Sequence, residues 1–252
     1  MTKIVGHRGA RNLWPENSLT GFRNILALDV DAIEFDVHLT DEGELVVIHD
    51  ATLDRTTDNT GPVRALTTET RARTHLEGSA DIVPTLADVL SVLAEASDKQ
   101  FHVEIKSAED KRPYPGITEK VVAEIERFGL AERCYLTSFD VSVLEECRQV
   151  APHIARLVSV NAQWADKQGG LEKFLQSVDG LAEFVAIHHE LLSQNWSFIS
   201  AQLPLHRLCV WTLNDEALIR PWLERGIGHL TSDSPDLALR LRLGIQSQKQ
   251  PA

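Results

Sequence analysis

The stretch AIEFDV, residues 32–37, alternates apolar side chains with carboxylates. Because successive side chains of a β-strand point to opposite faces, Glu34 and Asp36 share one face and the apolar residues share the other. The apolar face is suited to packing against helices, and the acidic face is then directed to the interior, as in the strands of an α/β barrel. The stretch therefore predicts a barrel strand whose two carboxylates face inward.

Residues 101–106, FHVEIK, repeat this pattern, with Glu104 and Lys106 on one face and apolar residues on the other. Charged groups inside a barrel are costly unless they are paired or bound to a cation. The three carboxylates of Glu34, Asp36 and Glu104 suit one divalent ion, Mg²⁺ or Ca²⁺ with Mn²⁺ as a further candidate, better than Zn²⁺, which prefers His or Cys ligands. An internal salt-bridge network with Lys106 is the alternative interpretation.

Segments rich in β-forming residues alternate with helical patterns along the whole chain, which is typical of βα units and a parallel sheet. The length of 252 residues matches the roughly 250 that an α/β barrel needs. We therefore expect a single domain over residues 1–252, of the α/β class, with the architecture of a (β/α)8 TIM barrel. The eight predicted strands cover residues 3–6, 32–37, 101–106, 134–138, 154–159, 184–187, 208–212 and 228–232.

A ninth β segment, residues 45–49, follows the second strand too closely for a parallel crossover, so it predicts a β-hairpin. A turn centred on residues 42 and 43 would place His49 opposite Asp36. The hairpin is followed by a segment rich in Thr, Arg, Gly and Pro, at about residues 50–84, which interrupts the alternation. We expect this small insertion to cover the mouth of the barrel, since long loops in compact domains are usually functional.

The composition restricts the kind of partner. The chain has 37 acidic and 25 basic residues and a formal net charge of −12. Such a charge disfavours nucleic acid and stable membrane association, and it favours a small-molecule substrate. No signal peptide or membrane-spanning run is evident in the sequence, so we expect a cytoplasmic protein. The sequence carries no indication of the oligomeric state.

Two histidines are predicted to converge on the acidic strands. His7 and Arg8 follow the first strand, and His49 ends the hairpin. A pair of imidazoles can serve as general base and general acid, while Arg8 and Lys106 supply fixed positive charge for a phosphate. We expect structural roles for the seven histidines at positions 75, 102, 153, 188, 189, 206 and 229.

Taken together, these motifs resemble the glycerophosphodiester phosphodiesterases. The resemblance covers essentially the whole chain in order, although each motif is short. The chain departs from the family pattern at Ser18 and Ser232, where threonine is usual or common. The motifs that carry the resemblance are HRG and PEN near the start, IEFDVHLTDEG, LVVIHD, LDRTT, PTLADVL, VEIK, TSF at 137–139, WTLN at 211–214 and SDSPD at 232–236.

The resemblance implies metal-dependent hydrolysis of glycerophosphodiesters to glycerol 3-phosphate and an alcohol by general acid/base catalysis. It implies that His7 and His49 are the acid/base pair, and that Trp211 is an aromatic wall against which the glycerol packs. The residues implied as metal ligands are Glu34, Asp36 and Glu104, and those implied as phosphate-binding cations are Arg8 and Lys106.

Two alternative functions remain at this point. One is a phospholipase D-like hydrolase of lysolipids or sphingolipids on the same fold, which would need an apolar surface near the mouth. The other is a non-catalytic barrel that binds phosphate esters. The sequence does not decide which histidine is the base, or whether water attacks directly or a glycerol hydroxyl first forms a cyclic phosphate. No motif is left over to recognise the leaving alcohol, so the sequence predicts tolerance for it.

Overall fold

The computed structural model describes residues 1–249 and consists of a closed parallel barrel surrounded by helices. Each barrel strand pairs with its neighbours in parallel, in the order β1, β9, β8, β7, β6, β5, β4, β2, and β1 pairs with β2 to close the ring. The remaining strand, β3, is antiparallel to β2 and forms the predicted hairpin. The (β/α)8 barrel expected from the sequence is thus confirmed. The strands are β1 (Lys3–His7), β2 (Ala32–Leu39), β3 (Leu45–Val47), β4 (Gln100–Ile105), β5 (Cys134–Ser138), β6 (Ala155–Val160), β7 (Phe184–His188), β8 (Leu208–Trp211) and β9 (His229–Ser232).

The helices lie outside the sheet and bury its apolar face. Phe35 on β2 makes an edge-to-face contact with Phe22 of the first helix, and both side chains are fully buried. Thr85 caps the third helix together with Asp88, as the Thr-x-x-Asp spacing predicts. The helices are α1 (Leu19–Ile25), α2 (Thr68–Arg71), α3 (Leu86–Leu93), α4 (Ile117–Arg127), α5 (Val141–Val150), α6 (Ala162–Lys167), α7 (Leu171–Ser177), α8 (His189–Gln194), α9 (Trp196–Gln202), α10 (Glu216–Arg225) and α11 (Pro235–Lys249).

The register of the barrel aligns the charged residues of neighbouring strands. Asp36 on β2 pairs directly with Glu104 on β4. Glu34, two residues earlier on β2, pairs with His7 on β1. Lys106 immediately follows the end of β4. Because these positions lie at the carboxyl ends of parallel strands, the side chains meet at one mouth of the barrel, where active sites of this fold are found.

The expected register of the hairpin was wrong by one residue. Val37 pairs with Val47, and the N–H of Ile48 donates to the carbonyl of Asp36 at 3.1 Å, so His49 does not lie opposite Asp36. The turn contains three residues closed by a hydrogen bond from Thr40 to Glu44, rather than two central residues. Its last residue is Gly43, whose φ of 85° lies in the left-handed region favoured by glycine, as in three-residue hairpin loops.

The segment between β3 and α3 has a small hydrophobic cluster of its own. Val46 and Ile48 of the hairpin are buried with residues of this segment, namely Leu53, Val63, Leu66, Leu76 and Val83. The segment also contacts the loop after β1, where Arg55 binds Glu16, and the first turn of α1, where the N–H of Thr20 donates to Asp81. The insertion therefore lies beside the mouth and is anchored to it.

Candidate active site

The three carboxylates predicted as metal ligands lie together inside the mouth. Glu34, Asp36 and Glu104 each have one carboxylate oxygen that lies within 4.8 Å of the matching oxygens of the other two. The three residues are buried. Two adjacent strands, β2 and β4, supply them. This group of hard oxygen donors could hold a divalent metal ion.

The salt-bridge network proposed as the alternative is present as well. Nζ of Lys106 lies 2.6 Å from a carboxylate oxygen of Glu104 and 2.9 Å from one of Asp36. Nε of Arg8 lies 3.3 Å from the other oxygen of Asp36. The network is incomplete, because Oε1 of Glu34 is buried without a hydrogen-bond partner within the described chain. An uncompensated buried carboxylate oxygen is the kind of group that a cation would satisfy.

The pKa values of Glu34 and Asp36 shift in opposite directions, because nearby positive groups compensate their charges to different extents. Burial raises the pKa of Glu34 well above its usual range, and the neighbouring Asp36 and Glu104 raise it further. Burial opposes ionisation of Asp36 too, but Lys106 and other nearby positive groups hold its pKa well below the usual range. Asp36 therefore has Lys106 and Arg8 in direct contact, whereas the charges of these two residues do not offset the burial of Glu34, which lacks a fixed counter-charge in direct contact. A cation bound here would supply it.

His7 is held by a carboxylate from the opposite end of the chain. Its Nδ1 lies 2.5 Å from Oδ1 of Asp233, which follows β9, and its Nε2 lies 3.7 Å from Glu34. Burial lowers the pKa of His7, and the hydrogen bond to Asp233 partly offsets this effect. Asp233 also accepts from Nδ2 of Asn214 at 2.7 Å and lies 2.8 Å from Nε of Arg11. With Nδ1 donating to Asp233, Nε2 is free to accept a proton at the mouth.

His49 has a similar partner in a more open position. Its Nδ1 lies 2.6 Å from Oδ1 of Asp50, and its side chain is 31% exposed, compared with 14% for His7. Asp50 is bound in turn by Arg55, which also reaches both oxygens of Glu16 at 2.9 Å. Arg55 thus connects the loop after β1 with the end of the hairpin.

The backbone of the loop after β1 is strained. Arg8, Ala10 and Asn17 have φ values of 52°, 69° and 55°, in the left-handed region that residues other than glycine seldom adopt. The N–H of Arg8 donates to Glu34, and the amide of Asn17 donates to Asp36. Strain of this kind is common at functional sites, where surrounding contacts compensate for it.

A cavity of about 170 Å³, which we call the inner cavity, extends from these groups into the barrel. Trp211, at the end of β8, forms part of its wall, with its indole N–H buried and without a partner within residues 1–249. Phe139 contacts the Trp211 ring edge to face at 5.5 Å. The predicted site residues that line this cavity are His7, Arg8, Glu34, His49, Glu104, Lys106 and Trp211, and Asp36 lies directly behind them.

Several residues of the site had no assigned role from sequence. Glu16, Asp50, Arg55 and Asp233 lie in motifs that carry the family resemblance, and their positions in those motifs were the available signal. His38 lies on β2, and its position in the sequence gave no other indication of a role. Tyr114 and the backbone carbonyl of His49 contact its two ring nitrogens, so His38 fixes the backbone beneath His49.

The fold and the grouping of carboxylates, imidazoles and cations at the barrel mouth define a barrel hydrolase. Residues 7–237 match the model of the glycerophosphoryl diester phosphodiesterase family. The chain belongs to this family. It is accordingly an enzyme, a phosphoric diester hydrolase of the glycerophosphodiester type.

Individual relatives agree with this placement. A glycerophosphodiester phosphodiesterase of Bacillus altitudinis is 31% identical over 249 residues, which cover 96% of this chain and 98% of the relative. The crystal structure of a glycerophosphodiester phosphodiesterase from Agrobacterium tumefaciens is 26% identical and has a TM-score of 0.75, with 95% of this chain and 100% of that chain covered. A phosphodiesterase of Oleispira antarctica, solved with the product sn-glycerol-3-phosphate, shares the fold at 22% identity, with a TM-score of 0.78 and 96% of each chain covered.

Within residues 1–249, no helix combines the length and the apolar character needed to cross a bilayer.

Proposed function

We propose that this enzyme hydrolyses glycerophosphodiesters to glycerol 3-phosphate and an alcohol, in a metal-dependent reaction with general acid/base catalysis. The observation that carries the proposal is the inner cavity, which is lined by both histidines, by Arg8 and Lys106 and by two of the three clustered carboxylates, with the third, Asp36, directly behind them. The product held by the Oleispira antarctica relative, sn-glycerol-3-phosphate, supports the same substrate class.

We assign Glu34, Asp36 and Glu104 as the ligands of one divalent ion, Mg²⁺, Ca²⁺ or Mn²⁺. When bound, such an ion supplies positive charge for the phosphoryl oxygens. Lys106 pairs with Asp36 and Glu104, and this pairing is compatible with the assignment. It holds the ammonium group of Lys106 at the edge of the same space as the guanidinium of Arg8, where both groups can bind the phosphate.

The two histidines differ in position, and we assign their roles from that difference. His7 is the more buried, and Asp233 holds its Nδ1 so that Nε2 is directed toward the Glu34 side of the inner cavity, which suits a general base. His49 lines both the inner cavity and a second cavity outside it, which suits the acid that protonates the leaving alcohol. Both direct attack by water and attack by a glycerol hydroxyl are compatible with a base at His7.

The size of the inner cavity favours a glycerol arm over an acylated one. A space of about 170 Å³ next to Trp211 accommodates a three-carbon polyol, whereas the acyl chain of a lysolipid would have to lie elsewhere. The indole N–H of Trp211 and the hydroxyls of Thr137, Ser159 and Thr231 offer polar partners around this space. This observation favours glycerophosphodiesters over the lysolipid and sphingolipid alternative.

We also propose that residues 1–252 form one domain, because the sheet of the described chain closes between its first strand and its last. The function is tested by assaying the purified protein with glycerophosphodiesters, a lysophospholipid and a sphingolipid, each with and without EDTA. Release of glycerol 3-phosphate from the diesters alone, abolished by EDTA, is the expected result. Cleavage of only the lipids would favour the alternative hydrolase, and no cleavage of any of these substrates would overturn the proposal.

A further inference from the structure

A second cavity, which we call the outer cavity, adjoins the inner one at the barrel mouth. Its volume is about 650 Å³, nearly four times that of the inner cavity. The two cavities share His49, Glu104, Lys106 and Phe139 as lining residues. A phosphodiester has two ester arms on one phosphorus, so a phosphate held at this shared boundary extends one arm into each cavity. If the glycerol arm occupies the inner cavity, the leaving alcohol occupies the outer one.

Aromatic rings form one wall of the outer cavity. Phe139, after β5, and Trp164, on α6, have ring centroids 6.0 Å apart with their planes inclined at 39°. Both are half-buried and line the cavity. Nζ of Lys167 lies 4.5 Å from the centre of the Trp164 ring, so this indole already attracts a cation on part of its surface. Aromatic faces of this kind bind ammonium groups, and N-methylated ones in particular.

Carboxylates lie at the same cavity. Asp140 caps α5 through Oδ1, while its Oδ2 has no hydrogen-bond or ion-pair partner in the described part of the chain. Glu109 likewise lines the cavity without such a partner among residues 1–249. Asp50 is neutralised by Arg55, and Lys111 is the fixed cation that lines this cavity apart from Lys106. Among the residues that line the cavity, the two unpaired carboxylates thus exceed the one additional cation, Lys111, whereas Lys167 contacts the Trp164 ring without lining the cavity. Asp140 directly follows Phe139 of the aromatic wall.

We propose that the outer cavity is a binding site for the leaving alcohol and that it favours an alcohol carrying an ammonium group, as in choline and ethanolamine. This inference rests on the proposed function. The ammonium group lies against Phe139 and Trp164 with Asp140 and Glu109 as counter-charges, while the ester oxygen stays at His49. The expectation of tolerance drawn from the sequence is thereby replaced. Of the four recognising residues, only Phe139 lies in a motif, and the segments that follow β4, β5 and β6 bring the four to one cavity.

The test compares two substrates that differ at one atom. Glycerophosphocholine and the 3,3-dimethylbutyl ester of glycerophosphate have the same shape, but the quaternary nitrogen of the first is a neutral carbon in the second. We expect kcat/KM to be about tenfold or more higher for the choline ester, the size expected for a partly desolvated cation beside aromatic rings and acids. Glycerophosphoethanolamine should exceed the neutral glycerophosphoglycerol in the same direction. Equal kcat/KM for the choline ester and its isostere would overturn the inference.

Two variants locate the effect. Asp140→Asn removes the charge and keeps the helix cap, since asparagine caps as well as aspartate, and Glu109→Gln removes the second charge without loss of size. In each, the ratio of kcat/KM between the choline ester and its isostere should fall several-fold. Glu224→Gln on the outer helix α10, which lines neither cavity, is the matched control and should leave the ratio unchanged. An unchanged ratio in both variants would also overturn the inference.

The outcomes separate this inference from the function on which it rests. If every glycerophosphodiester is hydrolysed and the ratio is near one, the outer cavity has been assigned wrongly and the proposed function stands. If none is hydrolysed in the presence of Mg²⁺, Ca²⁺ or Mn²⁺, the proposed function fails and this inference fails with it.

Discussion

Nδ1 of His7 lies 2.5 Å from Oδ1 of Asp233, although 226 positions separate the two residues in the chain. The contact crosses the seam where β1 pairs with β9. Burial would raise the pKa of Asp233, but the hydrogen bond from His7 together with the nearby Arg11 lowers it to about 2, so the carboxylate stays ionised beside the imidazole. The contact therefore fixes both the orientation of the ring and the nitrogen that carries the proton.

Replacement of this carboxylate is expected to impair catalysis. Asp233→Asn should lower kcat by about 10–100-fold, the usual effect of removing a group that orients a ligating or catalytic residue. KM should change less, because Asp233 is not expected to touch the substrate. Steady-state kinetics would measure both. Asp50→Asn serves as the comparison. Because Asp50 is more exposed than Asp233, its replacement should lower kcat less. Equal kcat for Asp233→Asn and the unmodified enzyme would show that the contact has no catalytic role.

Removal of either imidazole should slow the chemical step. His7→Ala and His49→Ala should each lower kcat by about 10²–10⁴, the typical contribution of general acid/base catalysis. The fold should persist, which circular dichroism would show. A kcat close to that of the unmodified enzyme in either variant would remove that histidine from the mechanism.

Chelation should abolish activity, and Mg²⁺, Ca²⁺ or Mn²⁺ should restore it. Glu104→Gln should weaken metal binding because it removes one anionic ligand while keeping the size of the side chain. Titration calorimetry with each ion, on the variant and the unmodified protein, measures this directly. Full activity in excess EDTA, from protein that contains no metal by elemental analysis, would contradict the assignment.

Trp211 should matter most for substrates that carry glycerol. A diester without the glycerol hydroxyls should have a much lower kcat/KM, because polar groups around the inner cavity would be left without partners. Trp211→Ala should reduce the difference in kcat/KM between the two kinds of diester, because it should lower kcat/KM most for the glycerol esters. Values of kcat/KM for both substrate types on both proteins test the prediction. Equal use of diesters with and without glycerol would show that the inner cavity does not bind glycerol.

Stability should fall with decreasing pH because of His229, which lies in the barrel below the active site. Burial lowers its pKa to about 4, and the charge of Lys3 contributes. The unfolded chain, with an ordinary histidine pKa of about 6.5, binds the proton more readily. The stability from burying the neutral ring is thus fully present above about pH 6.5 and is lost as the pH falls toward 4.

Urea unfolding measures this loss. The free energy of unfolding at about pH 4.5 should be lower than at about pH 7 by roughly 2 kcal/mol on account of His229 alone. His229→Phe, which places a third aromatic ring beside Tyr135 and Phe184, should reduce the pH dependence by that amount. His206→Asn, at an exposed position, is the control. The same pH dependence in His229→Phe and the unmodified protein would refute the prediction.

Local sequence patterns predicted much of this molecule. The alternation in AIEFDV and FHVEIK identified the inward carboxylates, because side-chain direction in a strand depends only on parity. The hairpin register was missed, since a three-residue turn and a two-residue turn differ by one position and the sequence fits either. Asp233 was left without a role because its contact with His7 spans 226 positions and forms only where β9 pairs with β1. Arg55 was left without a role because its contact with Glu16 spans 39 positions and depends on how the insertion packs against the loop after β1.

The contact between His7 and Asp233 joins two residues that are added to the growing chain at very different times. Asp233 is synthesised more than two hundred residues after His7, so the nascent chain carries the imidazole long before its carboxylate. Closing so long a loop is entropically costly and depends on the strands between. A barrel with β1 to β8 in place and β9 absent would hold the three carboxylates proposed as metal ligands and both histidines, but it would lack Asp233, which orients His7. If His7 acts as proposed, full catalytic competence therefore arises with ring closure and not gradually with chain length.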